Sequence, residues 1–454
     1  MIIRRSQKNL LPLTGRIRHE PLIKAILFSI LVYCSSSYAQ DEKSSLLPDT
    51  LRLKDVIDEV IKNNDRLAAA RYMEKAAYHE IAPAGSWDDP MLMLAVENLP
   101  TSFDFSEDPM TMRIVGLSQK IPYAGEKGLK KKAARASADA AQQETRGTEI
   151  ELVTAARQAY YNLYYQRQSL GYVIAQRDIQ NDILSSATAR LRTDQANQAD
   201  VAAAQADLWR LEADILSAQQ DIETAEIDLQ ALMGRDSVTA LSPLEEPKID
   251  ALSMTSDRWL SEAQTNYPGL QQLKYRSQNY RFQSSAANRM RWPMLELSGG
   301  YAFRSDPNDQ AEDAMPRDNM VNFQVNLSIP IFSGRRQGNM ARSMAAMGKS
   351  VDAEYEQKWR DIKSELLSLH NRAQRLSRSL ALYSERIIPA DLDAYQSAYA
   401  SYAANRLPFA NLLMYAVNVY RDRILANRIA YDLARTVAQA EQYMMKPDQW
   451  SSQQ

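Results

Sequence analysis

Thioethers are the side chains of this sequence best suited to bind an ion. Met340, Met344 and Met347 stand at helical spacing, and Met91 and Met93 share one face of an extended segment. Soft sulfur suits monovalent copper or silver. Methionine also fills cores and helix seams, and packing is the reading adopted for these clusters. Beyond an N-terminal export signal only His79 and His370 remain as imidazoles, far apart, with no cysteine. That is no zinc-type ligand set. No metal site and no cofactor are expected. Ser, His and Asp show no nucleophile arrangement, and no Gly-rich loop follows a strand, so the chain reads as non-enzymatic. Tyr160, Tyr161, Tyr164 and Tyr165 cluster in the middle of a helical stretch, where interhelical packing is the reading adopted.

The elements that carry these residues are mostly helical. Only 14 glycines and 8 phenylalanines are spread over 454 residues, and Ala, Gln, Leu and Arg dominate the middle of each half. That is the composition of long helices and coiled coils. A formal net charge of −2 with no basic patch argues against a nucleic-acid partner. A mean hydropathy of −0.45 leaves no room for a bundle of membrane helices.

The N-terminus reads as a signal peptide over residues 1–39. A basic region (Arg4 to Lys24) precedes Ala25–Tyr33, an apolar run too short to span a bilayer. Ser37-Tyr38-Ala39 fits small-x-small cleavage. The single cysteine, Cys34, follows the bulky Tyr33 rather than a small residue, which argues for its loss with the signal rather than lipidation.

The chain is written twice. Asn63–Leu67, Pro90, Gly125 and Asp194 recur in order as Asn266–Leu270, Pro293, Gly334 and Asn405. A single duplication of this size means two similar halves, 40–247 and 248–454. Each half reads as short helices, two strands and two long helices. The strands are expected near 90–98, 110–119, 293–303 and 319–329, each close to the ~9–11 residues that a tilted strand needs to cross a bilayer. Val321, Phe323, Val325, Leu327 and Ile329 alternate with Asn322, Gln324, Asn326 and Ser328, the lipid-out, water-in pattern of a barrel strand. Arg113 shares parity with Val115 and Leu117 and leaves that strand's orientation open. The strand turns, 99–109 and 304–318, are acidic and Pro-containing. Four strands cannot enclose a channel, and open edges are not tolerated in lipid, so several copies must share one barrel.

The helices are expected over 126–193, 198–233, 335–402 and 410–444. The first return helix carries an unbroken seam from Val201, Ala204 and Leu208 to Leu229 and Leu232, alternating three and four residues. In the second return helix Asp422 interrupts the matching seam. Asp194 and Asn405 sit at the reversals and tolerate a left-handed helix-ending turn. Pro389 occurs only in the second half and should kink or restart its helix, making it the candidate hinge.

This order, twice, resembles the TolC family of outer-membrane efflux channels. The likeness is carried by Asn63–Leu67 with Asn266–Leu270, by Leu117–Gly125 with Leu327–Gly334, and by the two turn-plus-seam stretches. It covers about 51–445. Asp89-Pro90-Met91-Leu92 leading to Glu97-Asn98-Leu99-Pro100, then Gln119 to Gly125, is similar to the branch tied to heavy-metal efflux. The resemblance implies a mainly α fold with a β membrane portion. It implies a homotrimer with a twelve-stranded barrel in outer-membrane lipid and a twelve-helix periplasmic tunnel. The implied partners are a periplasmic adaptor (membrane fusion) protein and an inner-membrane resistance-nodulation-division pump. The channel would be a passive gated conduit for heavy-metal ions. Type I protein secretion or drug efflux through the same fold is the first alternative. A periplasmic coiled-coil or adaptor protein is the second, although adaptors have one helical hairpin flanked by β domains.

The resemblance also implies site residues. Thr193, Asp194, Gln195, Ala196, Asn405, Arg406 and Leu407 would contact the adaptor. Asp200, Tyr402, Asn411 and Met414 would form the periplasmic gate, with Asn411 and Met414 standing where relatives carry acidic residues. Asp194 and Asn405 replace the family's usual glycines, and the arginine that relatives place near the gate tyrosine is expected at Arg406.

Overall fold

The structure, a computed structural model, describes residues 50–236, 239–247, 255–306 and 317–444. The expected signal peptide, Cys34 and most of the second strand turn lie outside the described residues. The architecture below belongs to one compact unit that starts at Leu51.

The first half runs α1 (Leu53–Asn63), α2 (Asp65–His79), α3 (Ile81–Gly85), β1 (Met91–Glu97), β2 (Met112–Ile121), α4 (Glu126–Leu191) and α5 (Gln198–Leu232). The second runs α6 (Ser256–Asn266), α7 (Pro268–Arg289), β3 (Leu295–Arg304), β4 (Met320–Leu327), α8 (Gln337–Leu382), a π-helical segment (Tyr383–Ile387), α9 (Ile388–Ala403) and α10 (Phe409–Met444). At ~1.5 Å per residue, the 66 residues of α4 reach roughly 100 Å from the sheet. No described helix is long and apolar enough to cross a membrane.

The four strands form one antiparallel sheet in the order β1-β2-β3-β4, so the two halves meet along β2–β3. Directly opposed residues share a face. One face carries Leu94, Val115, Tyr301 and Val321 in one row and Leu92, Leu117, Gly299 and Phe323 in the next. These large apolar side chains are exposed, Phe323 at 85%. The other face is polar toward the helices, with Lys120, Glu296 and Asn326 in one row and Ser118, Ser298 and Gln324 in another. Gly116 has to be glycine, because a Cβ there would stand 2.7 Å from the Gly299 carbonyl oxygen. The open orientation of β2 is now fixed. Arg113 lies on the apolar face at its outer end, where Nη2 donates to Ser305 Oγ (3.2 Å) and the guanidinium stacks 5.5 Å from the Phe105 ring. A long side chain at a strand end can hold its charge out of an apolar layer.

Met91, Met93, Met112 and Met320 fall on the polar face, and Met93 and Met112 share a small cluster there with Ala95, Ile114 and Ala302. Met340 and Met347 are exposed at 50% and 43%, so this chain alone does not pack them. Among the described residues no group of three His, Cys, Asp or Glu could hold a metal ion.

The main core lies where α1 crosses the long helices. Val56, Val60 and Leu67 pack on Val153, Tyr160, Tyr161 and Leu163 of α4 and on Leu229 and Met233 at the end of α5. Tyr160 and Tyr161 are core residues, and the Tyr160 hydroxyl reaches the Leu51 and Glu245 carbonyls at 2.9 and 2.8 Å. Each half ties off its return helix with an asparagine amide. Asn64 Nδ2 donates to Leu232 O (3.3 Å) and Asn266 Nδ2 donates to Met444 O (3.1 Å). The last carbonyls of a helix have no partner of their own, so these donors close both ends alike. The halves are joined along the helices as well. Asn427 Nδ2 of α10 donates to Tyr165 O (2.8 Å) and Ser169 Oγ (2.7 Å) of α4, and Arg157 of α4 pairs with Glu441 of α10.

Pro389 does not end the helical path. The turn before it widens, with the Ile388 amide donating to Tyr383 O, five residues back. A π turn relieves the clash that a proline ring makes with the preceding turn, and it places one extra residue in the coil. The helix therefore restarts at Ile388, as its proline suggested, by insertion rather than by a break.

Candidate functional site

The helical tip is built from two reversals with the same backbone. Asp194 and Asn405 take φ of 56° and 59°. In the first turn Gln195 N donates to Arg190 O (2.9 Å) and Asp194 N to Leu191 O (3.2 Å). In the second, Arg406 N donates to Ser401 O (2.9 Å) and Asn405 N to Tyr402 O (3.0 Å). This pair of bonds is the Schellman motif, which needs a left-handed residue after the helix. Asn and Asp adopt that conformation at modest cost, so the missing glycines are compensated by residue type. Asn197 then caps α5, its Oδ1 accepting from Asp200 N at 2.9 Å.

Beneath the turns the two hairpins share one small core. Ile183 and Ala187 of α4 and Ala204 of α5 pack against Ala398 and Tyr402 of α9 and Phe409, Leu412 and Ala416 of α10. Tyr402 is 3% exposed, and its ring meets Phe409 edge-on at 6.0 Å.

One residue absent from the sequence reading organises this core. Arg190, in the last turn of α4, sets its guanidinium 4.2 Å from the Tyr402 ring centroid. Its Nη1 donates to Tyr402 O and its Nη2 to Asn405 Oδ1. The arginine beside Tyr402 is thus Arg190 from the first half. Arg406, the arginine expected in that place, is exposed at the turn. Sequence position could not show this, because the partner comes from the other hairpin. The Tyr402 hydroxyl and Arg190 Nε are both buried without a hydrogen-bond partner. Burial pushes the Tyr402 phenol up, Arg190 opposes that shift, and the charge of Asp200 adds to it.

The remaining expected site residues separate into two sets. Asp200 is half-buried and acts electrostatically on Tyr402. Asn411 and Met414 lie on the open face of α10, Met414 at 51% exposure, while Leu412 beside them is in the shared core. Thr193, Asp194, Gln195, Asn405 and Arg406 are exposed, and Ala196 and Leu407 half-buried, so the tip presents a mainly polar surface. Pro389 is exposed and well away from the turns.

Residues 56–235 match the family model described as outer membrane efflux protein. Outer membrane protein TolC of Vibrio cholerae is 20% identical over 401 residues, covering 86% of this chain and 90% of that protein. Among solved structures, a CusC structure described as showing transmembrane channel formation superposes with a TM-score of 0.71 at 18% identity, covering 87% of this chain and 92% of that one. VceC, an outer membrane protein of Vibrio cholerae, superposes with a TM-score of 0.70 at 16% identity, covering 87% and 96%. Duplicated hairpins, a shared antiparallel sheet and these superpositions give the chain the fold of the TolC-type outer-membrane channels.

Proposed function

We propose that this chain is the exit duct of a tripartite efflux system, that it works as a homotrimer, and that its cargo is heavy-metal ions. The trimer reading is supported by the sheet itself. Its four strands leave the outer edges of β1 and β4 unpaired and expose a broad apolar face. Lipid tolerates neither an open edge nor a partial barrel. Three copies supply twelve strands. The partners are a periplasmic adaptor at the tip residues 193–196 and 405–407, and a resistance-nodulation-division pump behind it. The metal cargo rests on the Asp89–Leu92, Glu97–Pro100 and Gln119–Gly125 motifs. Residues 1–39 act as the export signal, and 40–247 and 248–454 as the two repeats.

The observation that carries the gating mechanism is the cross-hairpin contact of Arg190 with Tyr402 and Asn405. It holds the end of the second hairpin against the first. Asp200, Asn411 and Met414 line the mouth that opens when this latch releases, and Pro389 is the hinge that lets α9 and α10 swing. A mouth with Asn411 and Met414 has less negative charge than one lined by carboxylates and attracts cations less strongly.

A deletion strain challenged with copper, silver, zinc, cobalt, cadmium and dyes tests the cargo. Lost tolerance to one or more metals with unchanged dye tolerance is expected. Dye sensitivity alone overturns the metal reading in favour of drug efflux.

A further inference from the structure

The seam of α10 holds a carboxylate where its spacing calls for an apolar residue. Asp422 is 8% exposed, between Val419 and Ala426 on the same stripe. Arg421 Nε donates to its Oδ1 at 3.2 Å. Facing it is Asp391 of α9, two residues beyond Pro389 and directly after the π-helical segment. Asp391 Oδ2 is buried and has no hydrogen-bond partner. Two ionised carboxylates in this position would leave that oxygen unsatisfied and repel each other. One proton held between them supplies the missing donor.

We propose that Asp391 and Asp422 form a proton-operated clasp that fixes α9 to α10 beside the Pro389 hinge, tight when the pair holds a proton and loose when both are ionised. The setting suits a switch. The π turn has a widened hydrogen-bond ring, and Pro389 gives no amide to Glu385 O, so the backbone here lacks one helical hydrogen bond. The clasp bridges the two helices that move if the second hairpin swings.

The groups around the pair set the direction. Burial raises Asp391 first, and the hydrogen bond and charge of Asp422 raise it further; Arg421 opposes both. All of these act from α10. On Asp391's own helix Asp393 is exposed, and Glu385 and Arg386 of the π segment are exposed. From α4, Asp182 acts on Tyr395, a turn farther along α9. An acid whose pKa is raised by folding favours the packed arrangement at low pH. That contribution is complete below the ordinary aspartate range and lost as pH rises through the raised value.

Two measurements test the clasp. In planar bilayers the wild-type conductance should fall at least about twofold as pH is lowered from 7.5 to 3.5, below the ordinary aspartate range. Asp391→Asn keeps a donor at all pH values and should show the low conductance at pH 7.5 with no further change. A variant that follows the wild-type pH curve, or a wild type with no change, overturns the proposal. Hydrogen exchange of wild-type trimer, corrected for intrinsic rates, reads the hinge without relying on transport or on a variant that assembles. Protection across 383–403 should rise at least about threefold at pH 3.5 relative to pH 7.5. Equal protection at both pH values overturns the clasp even if the protein proves to be a channel of the proposed kind.

Discussion

The guanidinium of Arg190 lies over the ring of Tyr402, 4.2 Å from its centroid, and the two residues come from different halves of the duplicated chain. The same guanidinium also holds the carbonyl of Tyr402 and the side chain of Asn405. One side chain thus fixes the ring, the backbone and the turn of the opposite hairpin. Arginine suits this work because its planar donor array can stack and hydrogen-bond at once.

The ring of Tyr402 meets the guanidinium directly, 4.2 Å from its centroid. Tyr402→Phe should leave single-channel conductance within about 20% of wild type, because the π face that attracts a cation is retained. Tyr402→Ala removes the ring and should raise conductance several-fold. Burial holds the phenol above its ordinary value of 10.0. The packing of the neutral ring is therefore complete below pH 10 and lost only as pH rises through the raised value. Any change in conductance between pH 7 and 9 should therefore persist in Tyr402→Phe.

The face assignment of the sheet is tested by two adjacent residues. Phe323 lies on the apolar face and Gln324 on the polar one. Phe323→Arg puts a charge into lipid, at a cost of about 2–4 kcal/mol near the bilayer midplane. It should reduce the heat-resistant oligomer seen on gels of outer-membrane fractions. Gln324→Arg should assemble normally and shift ion selectivity toward anions. The reverse pattern would invert the sheet.

Asn64 and Asn266 are expected to share one structural role. Asn64→Ala loses the bond to Leu232 O and the cap of α2, where Asn64 Oδ1 accepts from Arg66 N (3.0 Å) and Leu67 N (3.4 Å). Asn266→Ala loses the bond to Met444 O. Each lost bond is worth about 1 kcal/mol, and the lost cap adds about another 1 kcal/mol. Thermal dissociation of the oligomer should shift down for both, more for Asn64→Ala.

Much of this was legible in the sequence because it is local. The alternation around Phe323 has period two, and the seam of α5 has period 3.5, so every seam residue from Val201 to Leu232 is buried or half-buried. The left-handed turns at Asp194 and Asn405 follow from residue type at a helix end. Pairings across the repeat were not legible. Matching positions in the two halves shows which residues are equivalent, whereas Arg190 and Tyr402 are not equivalent; they meet because two hairpins pack side by side. The π turn was hidden for a related reason. Pro389 announces a disturbance, but the extra residue that absorbs it comes from Tyr383–Ile387, which reads as ordinary helix. Asp422 was visible only as a break in a seam, and its partner Asp391 required the fold.

The Arg190 latch is proposed to hold the periplasmic mouth shut. Single-channel conductance of Arg190→Ala in planar bilayers tests it most directly, alongside a gel showing that the oligomer is intact. The latch predicts a several-fold rise in conductance over wild type, with Arg190→Lys intermediate because an ammonium keeps the charge but loses the planar fork. An intact Arg190→Ala oligomer that conducts no more than wild type would contradict the account.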